Sequence, residues 1–282
     1  MNWTRNKKVK LLSKKFPTII FYCRFLYIIF QASSKAKRGK FSYEDLCSSC
    51  LKVIKSLNSV GVDFDIKGIE NIKQIEPPFV IIANHMSILE TVVLPAVIQQ
   101  ISKVTFVIKQ SLLVYPFFKH IMRSYNPIAV SRKNPRQDLK TVITEGMEKL
   151  KEGISIIVFP QTTRAISFYS SKFNTIGIKI AKKSNLPIVP LALLTDAWGN
   201  GKYLKDFGKI DPTKKVYFSF GKPIFVKSGG RNEHKAVTQF ISNELEKWKD
   251  ERRKILEMIK EERLDIDELK EYLEDGIGEG KL

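Results

Sequence analysis

The chain has 282 residues, of which 43% are hydrophobic and 27% are charged, including 18 phenylalanines. This composition excludes an intrinsically disordered chain and predicts a folded protein with a sizeable core. The net charge of +19 favours polyanionic partners (nucleic acid, anionic lipid or an acidic carrier protein), and three cysteines argue against a disulfide framework in a chain of this size.

The first predicted element is an apolar, aromatic-rich helix from Phe16 to Gln31, interrupted only by Arg24. Residues 1–43 carry eleven lysines and arginines and no acidic residue, so basic residues flank this helix. It is shorter than the ~20 residues of a spanning helix, and a central arginine costs about 3 kcal/mol in a bilayer. Pro17, Arg24 and Gln31 recur every seven residues and share one narrow stripe. We predict a helix that lies in an anionic membrane interface with Arg24 toward the headgroups; a spanning helix, a secretory signal and a buried core helix are the alternatives.

A second helix is predicted from Phe41 to Leu57, and it carries the pair Cys47 and Cys50. No second C-x-x-C is present to complete a zinc site, and a redox pair would need a strand-to-helix turn. We interpret the pair as two cysteines on one helix face.

The rest of the chain alternates short β-rich runs with helical stretches, which predicts an α/β fold with a largely parallel sheet covered by helices. The predicted strands are Phe64–Ile69, Phe79–Ala83, Val104–Ile108, Pro127–Val130, Ser155–Phe159, Ile188–Leu194 and Val216–Phe220. The predicted helices are Ser87–Ile101, Ser111–Arg123, Pro135–Lys151, Thr175–Ser184 and Glu233–Leu273. The expected domains are a basic two-helix membrane-docking arm (1–58), an α/β domain (59–230) and a charged helical tail (231–282).

The chemistry is expected where the apolar run 79–83 ends in Asn84-His85, just before a helix begins. Functional residues of α/β folds gather at the carboxyl ends of strands, and histidine accepts protons near neutral pH. Glu90, one helical turn further on, would hold the second ring nitrogen of His85 and stabilise an imidazolium. Alternatively, Ser87-x-x-Glu90 is a capping box that uses Glu90 at the helix start, and His85 is an ordinary loop histidine.

Four short blocks follow one another along the chain: Asn84-His85-x-Ser87-x-x-Glu90; Lys109-x-x-Leu112 with Pro116 and the later Arg132; Phe159-Pro-Gln161-Thr162-Thr163-Arg164; and Leu186-Pro-Ile-Val-Pro-Leu191. In this order they resemble N-H-x-S-x-x-D, K-x-x-L…P-x-x-G, F-P-E-G-T-R and V-P-I-x-P-V of the glycerolipid acyltransferases, the PlsC-like lysophosphatidate (1-acylglycerol-3-phosphate) acyltransferase family. The resemblance covers roughly residues 60 to 225 and includes a later Gly221-Lys-Pro-Ile224 stretch.

This resemblance implies that His85 takes a proton from a lysophospholipid hydroxyl that attacks an acyl thioester, and that Glu90 orients His85. Arg164, helped by Lys109 and Arg132, would bind the acceptor's phosphate, because guanidinium and ammonium groups suit phosphate oxygens. For Lys109 and Arg132, ordinary surface cations are the alternative. Gln161, Thr162 and Thr163 are the remaining residues expected to contact the acceptor.

The sequence departs from the family pattern at several positions. Glu90 replaces Asp, and Gln161 and Thr162 replace Glu and Gly of the third block. These changes bear on which acceptor is used more than on the reaction type.

The resemblance implies acyl transfer to lysophosphatidate in phospholipid biosynthesis, with acyl-CoA or acyl carrier protein as donor substrate and no cofactor or metal. The expected partners are an anionic membrane surface, the lysophospholipid acceptor and, if it is the donor, the acyl carrier protein, and no nucleic acid is expected. The expected location is the cytoplasmic face of the membrane, to which the N-terminal helices attach the protein. The alternatives are another acceptor, such as glycerol 3-phosphate or an amino-lipid, a basic lipid- or nucleic-acid-binding protein, and a family member without turnover.

Overall fold

The computed structural model describes residues 9–262, except Phe117, Thr162 and Ser228. The chain folds as two units, Met1–Ser242 and Asn243–Leu282. The helices are α1 (Leu11–Lys15), α2 (Pro17–Lys37), α3 (Tyr43–Asn58), α4 (Ile69–Lys73), α5 (Leu89–Ile98), α6 (Lys119–Tyr125), α7 (Pro135–Lys151), α8 (Ile176–Ser184) and α9 (Arg231–Glu262). The strands are β1 (Phe64–Lys67), β2 (Val80–Ala83), β3 (Lys103–Lys109), β4 (Ile128–Val130), β5 (Ile154–Val158), β6 (Ile188–Leu194) and β7 (Val216–Phe220).

The strands form one sheet in the order β1-β7-β6-β2-β5-β3-β4. Every neighbouring pair is parallel except β6 and β7. At the centre, Ile81 of β2 pairs with Ile157 of β5 and Val189 of β6, and all three are buried. Continuous apolar runs of this kind are typical of strands covered on both faces. The prediction of an α/β fold with a largely parallel sheet is confirmed.

Helix α2 packs one stripe of side chains into the core of the first unit. Phe21, Phe25 and Ile28 on that stripe are buried, and the rings of Phe21 and Phe25 lie 4.7 and 5.0 Å from that of Trp198. Aromatic pairs at these distances contribute packing energy beyond the burial of their area. The helix is therefore attached to the α/β core through aromatic contacts.

Arg24 is exposed, and its expected orientation toward headgroups stays a prediction. Its guanidinium donates a hydrogen bond to the Ser59 hydroxyl at the end of α3, because the two helices lie side by side. Helix α3 itself begins with a capping box between Ser42 and Asp45. Within the described part of the chain, no helix combines the length and apolarity needed to cross a bilayer.

Two predicted elements end differently from the expectation. The helix expected at 111–123 is a 3₁₀ turn, Gln110–Leu113, followed by α6, because Pro116 between them has no backbone N–H to donate. The strand expected at 64–69 stops at Lys67, where Gly68 adopts a φ of +73° and starts α4. A side chain at Gly68 would also collide with the Phe220 carbonyl oxygen, so this turn requires glycine. Residues 263–273 of the last predicted helix lie outside the described residues.

Cys47 and Cys50 lie on one face of α3 as free, buried thiols. The Cys47 thiol contacts the Pro95 carbonyl oxygen at 3.5 Å. Burial raises the pKa of Cys47 to about 11, which keeps it protonated at neutral pH. The pair is part of the packing between α3 and α5.

Candidate active site

The site is built where β2 ends and the chain turns into α5. Asn84, the first residue after β2, is 2% exposed, and its side-chain amide exchanges two hydrogen bonds with the backbone of Leu193 on β6, both of 2.8 Å. This pair of bonds locks the end of β2 to the neighbouring parallel strand. The position of the next residue, His85, is thereby set by the sheet itself.

His85 and Glu90 are in direct contact. The His85 Nδ1 and Glu90 Oε1 atoms are 2.9 Å apart, and the two side chains are 15% and 0% exposed. Because a carboxylate only accepts, Nδ1 carries the proton and donates it to Glu90. The remaining ring nitrogen, Nε2, is then the one that can accept a proton from a substrate.

Glu90 also organises the turn that precedes α5. Its Oε1 accepts from the backbone N–H groups of Met86 and Ser87 at 2.6 and 3.0 Å. Its Oε2 lies 3.1 Å from the Ser87 hydroxyl and 2.7 Å from that of Thr195. One carboxylate therefore contacts both the imidazole and the turn before α5, whereas the N-cap residue of α5 is Ile88, which makes no side-chain capping bond.

The charge of Glu90 is stabilised despite its burial. Burial raises the pKa of Glu90, but the hydrogen bond and charge of His85, and then the hydrogen bond of Thr195, lower it, and the resulting pKa lies below its ordinary value. Glu90 is therefore ionised at neutral pH and can stabilise a protonated His85.

The imidazole of His85 lies against an aromatic wall. The Phe159 ring stacks on it at 4.4 Å with an interplanar angle of 18°, and Phe106 stacks behind Phe159 at 6.1 Å. Phe106 lies on β3, and Phe159 directly follows β5. Packing on one face and the Glu90 bond at one edge fix the ring orientation.

The segment after β5 is tied to the backbone of His85. The Gln161 side-chain oxygen accepts from the His85 N–H at 2.8 Å, and the Ala165 N–H donates to the His85 carbonyl oxygen at 3.0 Å. Gln161 is 7% exposed, whereas Thr163 is exposed. Thr162 lies outside the described residues.

Arg164 lies between these two backbone contacts, in an ion pair. Its Nη1 is 2.6 Å from the Asp206 Oδ1, and the two side chains are only 18% and 15% exposed. The cation expected to bind the acceptor's phosphate thus already holds a carboxylate.

Lys109 and Arg132 follow the carboxyl ends of β3 and β4. Lys109 ends β3 opposite Val130 and is exposed. Arg132 has a φ of +59°, and its N–H donates to Asp138 at 2.8 Å. Arg132 follows β4 and His85 follows β2, and β5 and β3 lie between these two strands in the sheet. Three strand spacings therefore place β4 about 14 Å from β2. The structure brings His85, Glu90, Gln161 and Arg164 into one cluster and leaves Lys109 and Arg132 further along the same edge.

A comparison with known families fits this geometry. A family model described as Acyltransferase matches residues 63–194, which include His85, Glu90 and Arg164. This match covers slightly less than half of the chain, and over these residues the chain is similar to the acyltransferase family. The family resemblance expected from the four sequence blocks is confirmed.

The curated relatives are consistent with this family. The chain is 32% identical over 155 residues to a 1-acyl-sn-glycerol-3-phosphate acyltransferase of Pseudomonas aeruginosa, covering 55% of this chain and 58% of that one. It is 29% identical over 140 residues to a chloroplastic 1-acyl-sn-glycerol-3-phosphate acyltransferase of Brassica napus, covering 50% and 38%. The matched stretch thus spans less than two thirds of each relative.

A solved structure has the same fold. The 1-acyl-sn-glycerophosphate acyltransferase PlsC from Thermotoga maritima superimposes with a TM-score of 0.61 at 22% identity, covering 84% of this chain and 98% of that one. The fold that the chain shares with this structure therefore extends well beyond residues 63–194.

Gln161 and Phe118, in the third and second sequence blocks, each have a defined structural role. Gln161 keeps an acceptor oxygen on the His85 backbone without a carboxylate charge. Phe118 is 7% exposed and stacks on Tyr115 at 5.8 Å, with Phe25 of α2 at 6.4 Å. Phe118 therefore fills space beneath α2.

Sequence reasoning missed two polar residues of this cluster, Thr195 and Asp206. Thr195 directly follows β6, so the same strand-end signal that selected His85 could have found it. Asp206 lies in a loop with no such signal. Within the described residues, no group of three histidine, cysteine or acidic side chains could hold a metal ion.

Proposed function

We propose that this chain is an O-acyltransferase that moves a fatty acyl group from an acyl thioester to the free hydroxyl of a lysophospholipid, with lysophosphatidate converted to phosphatidate. The observation that carries the proposal is the 2.9 Å contact of His85 Nδ1 with the buried, ionised Glu90, which leaves Nε2 as the proton acceptor. The family match and the relatives' names support the same reaction.

The reaction proceeds in two proton transfers at Nε2. His85 takes the proton of the acceptor hydroxyl while its oxygen bonds to the thioester carbonyl carbon, and Glu90 stabilises the imidazolium. When the tetrahedral intermediate collapses, the carbon–sulfur bond breaks and the leaving thiolate takes the proton back from Nε2. The products are the new ester and the free thiol, and no cofactor takes part.

The acceptor's phosphate is assigned to Arg164, with Lys109 and Arg132 on the same edge of the sheet. Arg164 is joined to the catalytic turn through the Ala165 bond to the His85 carbonyl oxygen, so a phosphate bound there lies beside the base. A phosphomonoester carries about −1.5 to −2 charges at pH 7 and suits a guanidinium fork. Exposed Thr163 and Gln161 border this position.

A membrane surface is the proposed site of action, because the acceptor and the product are lipids. The face of α2 opposite its buried stripe carries exposed apolar side chains, and so does α1. Together with Phe16, which joins the two helices, the exposed apolar side chains are Leu11, Leu12, Ile19, Leu26, Tyr27 and Phe30. Such a face beside many lysines and arginines is typical of a helix that lies in an anionic interface. We assign it to the cytoplasmic face, where free thiols such as Cys23 persist.

The test is acyl transfer by purified protein in anionic liposomes. Lysophosphatidate, glycerol 3-phosphate and neutral lysolipids are each offered with acyl-CoA and with acyl carrier protein donors. We expect transfer to lysophosphatidate, and a decrease of about 10²- to 10⁴-fold for His85→Ala. His120→Ala is the matched control, since this histidine lies on α6, outside the cluster, and should leave transfer unchanged.

Two results would overturn the proposal. Preference for another acceptor would replace lysophosphatidate, and absence of transfer with every pair while the protein still binds liposomes would leave a lipid-binding protein. Whichever donor is used faster identifies the carrier.

A further inference from the structure

The partner of Arg164 comes from a loop outside the region that matches the family model. The family match ends at residue 194, and Asp206 lies twelve residues later, between β6 and β7. The acceptor-binding arginine is therefore paired with a residue that the family pattern does not specify.

The backbone on either side of Asp206 is held in place. Gly199 N–H donates to the Lys209 carbonyl oxygen at 3.0 Å and Phe207 N–H to that of Leu204 at 2.9 Å. From α2, the Tyr22 hydroxyl donates to the Gly208 carbonyl oxygen at 2.6 Å. If Asp206 releases Arg164, we therefore expect its side chain to move and the loop backbone to stay in place.

The Asp206 carboxylate lies in a site with little solvent, beside two tyrosines. Burial raises the pKa of Tyr22 to about 12, with the Trp198 hydrogen bond lowering it and the charge of Asp206 raising it. The pKa of Tyr115 is also raised, first by burial and then by the charge of Asp206, while the charge of Arg164 opposes this rise. Asp206 is therefore within electrostatic reach of α2, of the second sequence block and of Arg164.

A carboxylate and a phosphate are alternative ligands of one guanidinium. Both bind it through negative oxygens that accept its N–H groups. The Asp206 oxygen already takes Nη1 at 2.6 Å, and a phosphate arriving beside it would bring up to two like charges close to the carboxylate. Like charges at such a distance oppose each other, so the two ligands compete for Arg164.

We infer that Asp206 is a specificity-determining residue of the acceptor site, whose carboxylate takes the place of the acceptor's phosphate on Arg164 until the phosphate displaces it. This inference rests on the proposed function. Asp206 then weakens the binding of phosphate acceptors and discriminates against small phosphates that offer no lipid chain to compensate.

The test compares the full-length wild type with Asp206→Asn, which removes the charge and keeps the shape. We expect the KM for lysophosphatidate to fall by about fivefold, because the phosphate no longer competes with the Asp206 carboxylate for Arg164. The kcat should stay unchanged. Inorganic phosphate should inhibit the variant at a correspondingly lower concentration. Asp65→Asn is the matched control, because it also removes one carboxylate. Asp65 lies on the edge strand β1, away from Arg164, so this variant should leave the KM unchanged.

A KM that rises in Asp206→Asn, or a kcat that falls with KM unchanged, would overturn the inference and make Asp206 a residue that orients Arg164. Direct titration of both proteins with inorganic phosphate separates this inference from the proposed function. Tighter phosphate binding by the variant without any acyl transfer would retain the competition and reject the acyltransferase reaction. Unchanged phosphate binding in a protein that does transfer acyl groups would reject the competition alone.

Discussion

The Glu90 carboxylate is completely buried, and it is satisfied by donors on both of its oxygens. Oε1 accepts from the backbone N–H groups of Met86 and Ser87 and from His85, and Oε2 faces the hydroxyls of Ser87 and Thr195. Hydroxyl groups can reverse their role and accept, so an amide at position 90 could keep the same contacts. The charge of Glu90 can therefore be tested separately from its shape.

For Glu90→Gln we expect acyl transfer to fall by about 10²-fold, because the imidazolium loses its counter-charge. The pH dependence has a defined sign. The pKa of Glu90 is lowered in the folded state, so its stabilisation is complete above its ordinary pKa of 4.5 and is lost as the pH falls through the lower folded pKa.

Urea unfolding of the wild type and of Glu90→Gln at pH 7 and below pH 4.5 measures this contribution. The difference in the free energy of unfolding should shrink on acidification. Glu76→Gln, at an exposed position, serves as control and should show no such change. An equal difference at both pH values would contradict an ionised Glu90.

At the scale of single elements, α2 has two apolar faces, one buried in the core and one exposed. Phe21, Phe25 and Ile28 face the core, whereas Tyr27 and Phe30 are 62% and 72% exposed. A helix that served only the core would carry polar residues on its second face. The exposed stripe is therefore explained by the proposed membrane contact.

The double variant Tyr27→Ser, Phe30→Ser should bind anionic vesicles at least about tenfold more weakly, because two aromatic side chains no longer enter the interface. Vesicle cosedimentation measures this, and circular dichroism checks that the fold is retained. Leu256→Ser, at an exposed apolar residue of α9, is the matched control and should bind as the wild type does. Unimpaired binding of the double variant would show that another surface meets the membrane.

At the scale of the whole molecule, charge is distributed unevenly. The chain carries +19 overall, and residues 1–43 hold eleven basic residues and no acidic one, whereas the residues from Glu244 onward hold fourteen acidic and nine basic residues. Each lysine or arginine near an anionic bilayer contributes about 1 kcal/mol. In the proposed membrane contact, the basic residues of this end of the chain would attract the anionic lipids while the exposed apolar face of α2 enters the interface.

Binding to anionic vesicles should therefore weaken by more than about tenfold between 0.1 and 1 M salt, since the Debye length falls from about 10 to about 3 Å. Binding to zwitterionic vesicles should be weaker and nearly independent of salt. The comparison is made by cosedimentation with vesicles of equal size. Salt-insensitive binding to anionic vesicles would mean that apolar contacts alone attach the protein.

Local sequence patterns were sufficient wherever the responsible contacts are local. The seven predicted strands all occur, and β6, β7 and α7 have the predicted bounds, because apolar runs and helical periodicity are properties of neighbouring residues. His85 and Glu90 are five residues apart, so the possibility of their contact could also be read from the chain. Local patterns did not predict the break at Pro116 or the short α4. Each depends on a single residue, Pro116 or Gly68, that interrupts the pattern of its neighbours.

By itself, the sequence determined the fold class, the resemblance to the acyltransferases and the turn that carries His85 and Glu90. Only the tertiary structure decided what completes the site. Thr195 lies 105 residues from the Glu90 it contacts, and Phe159 stacks on His85 from another strand. Asp206 reaches Arg164 from a loop beyond β6. Such contacts depend on how strands are ordered in the sheet and how a loop is held against α2, and neither arrangement leaves a periodic signal in the residues themselves.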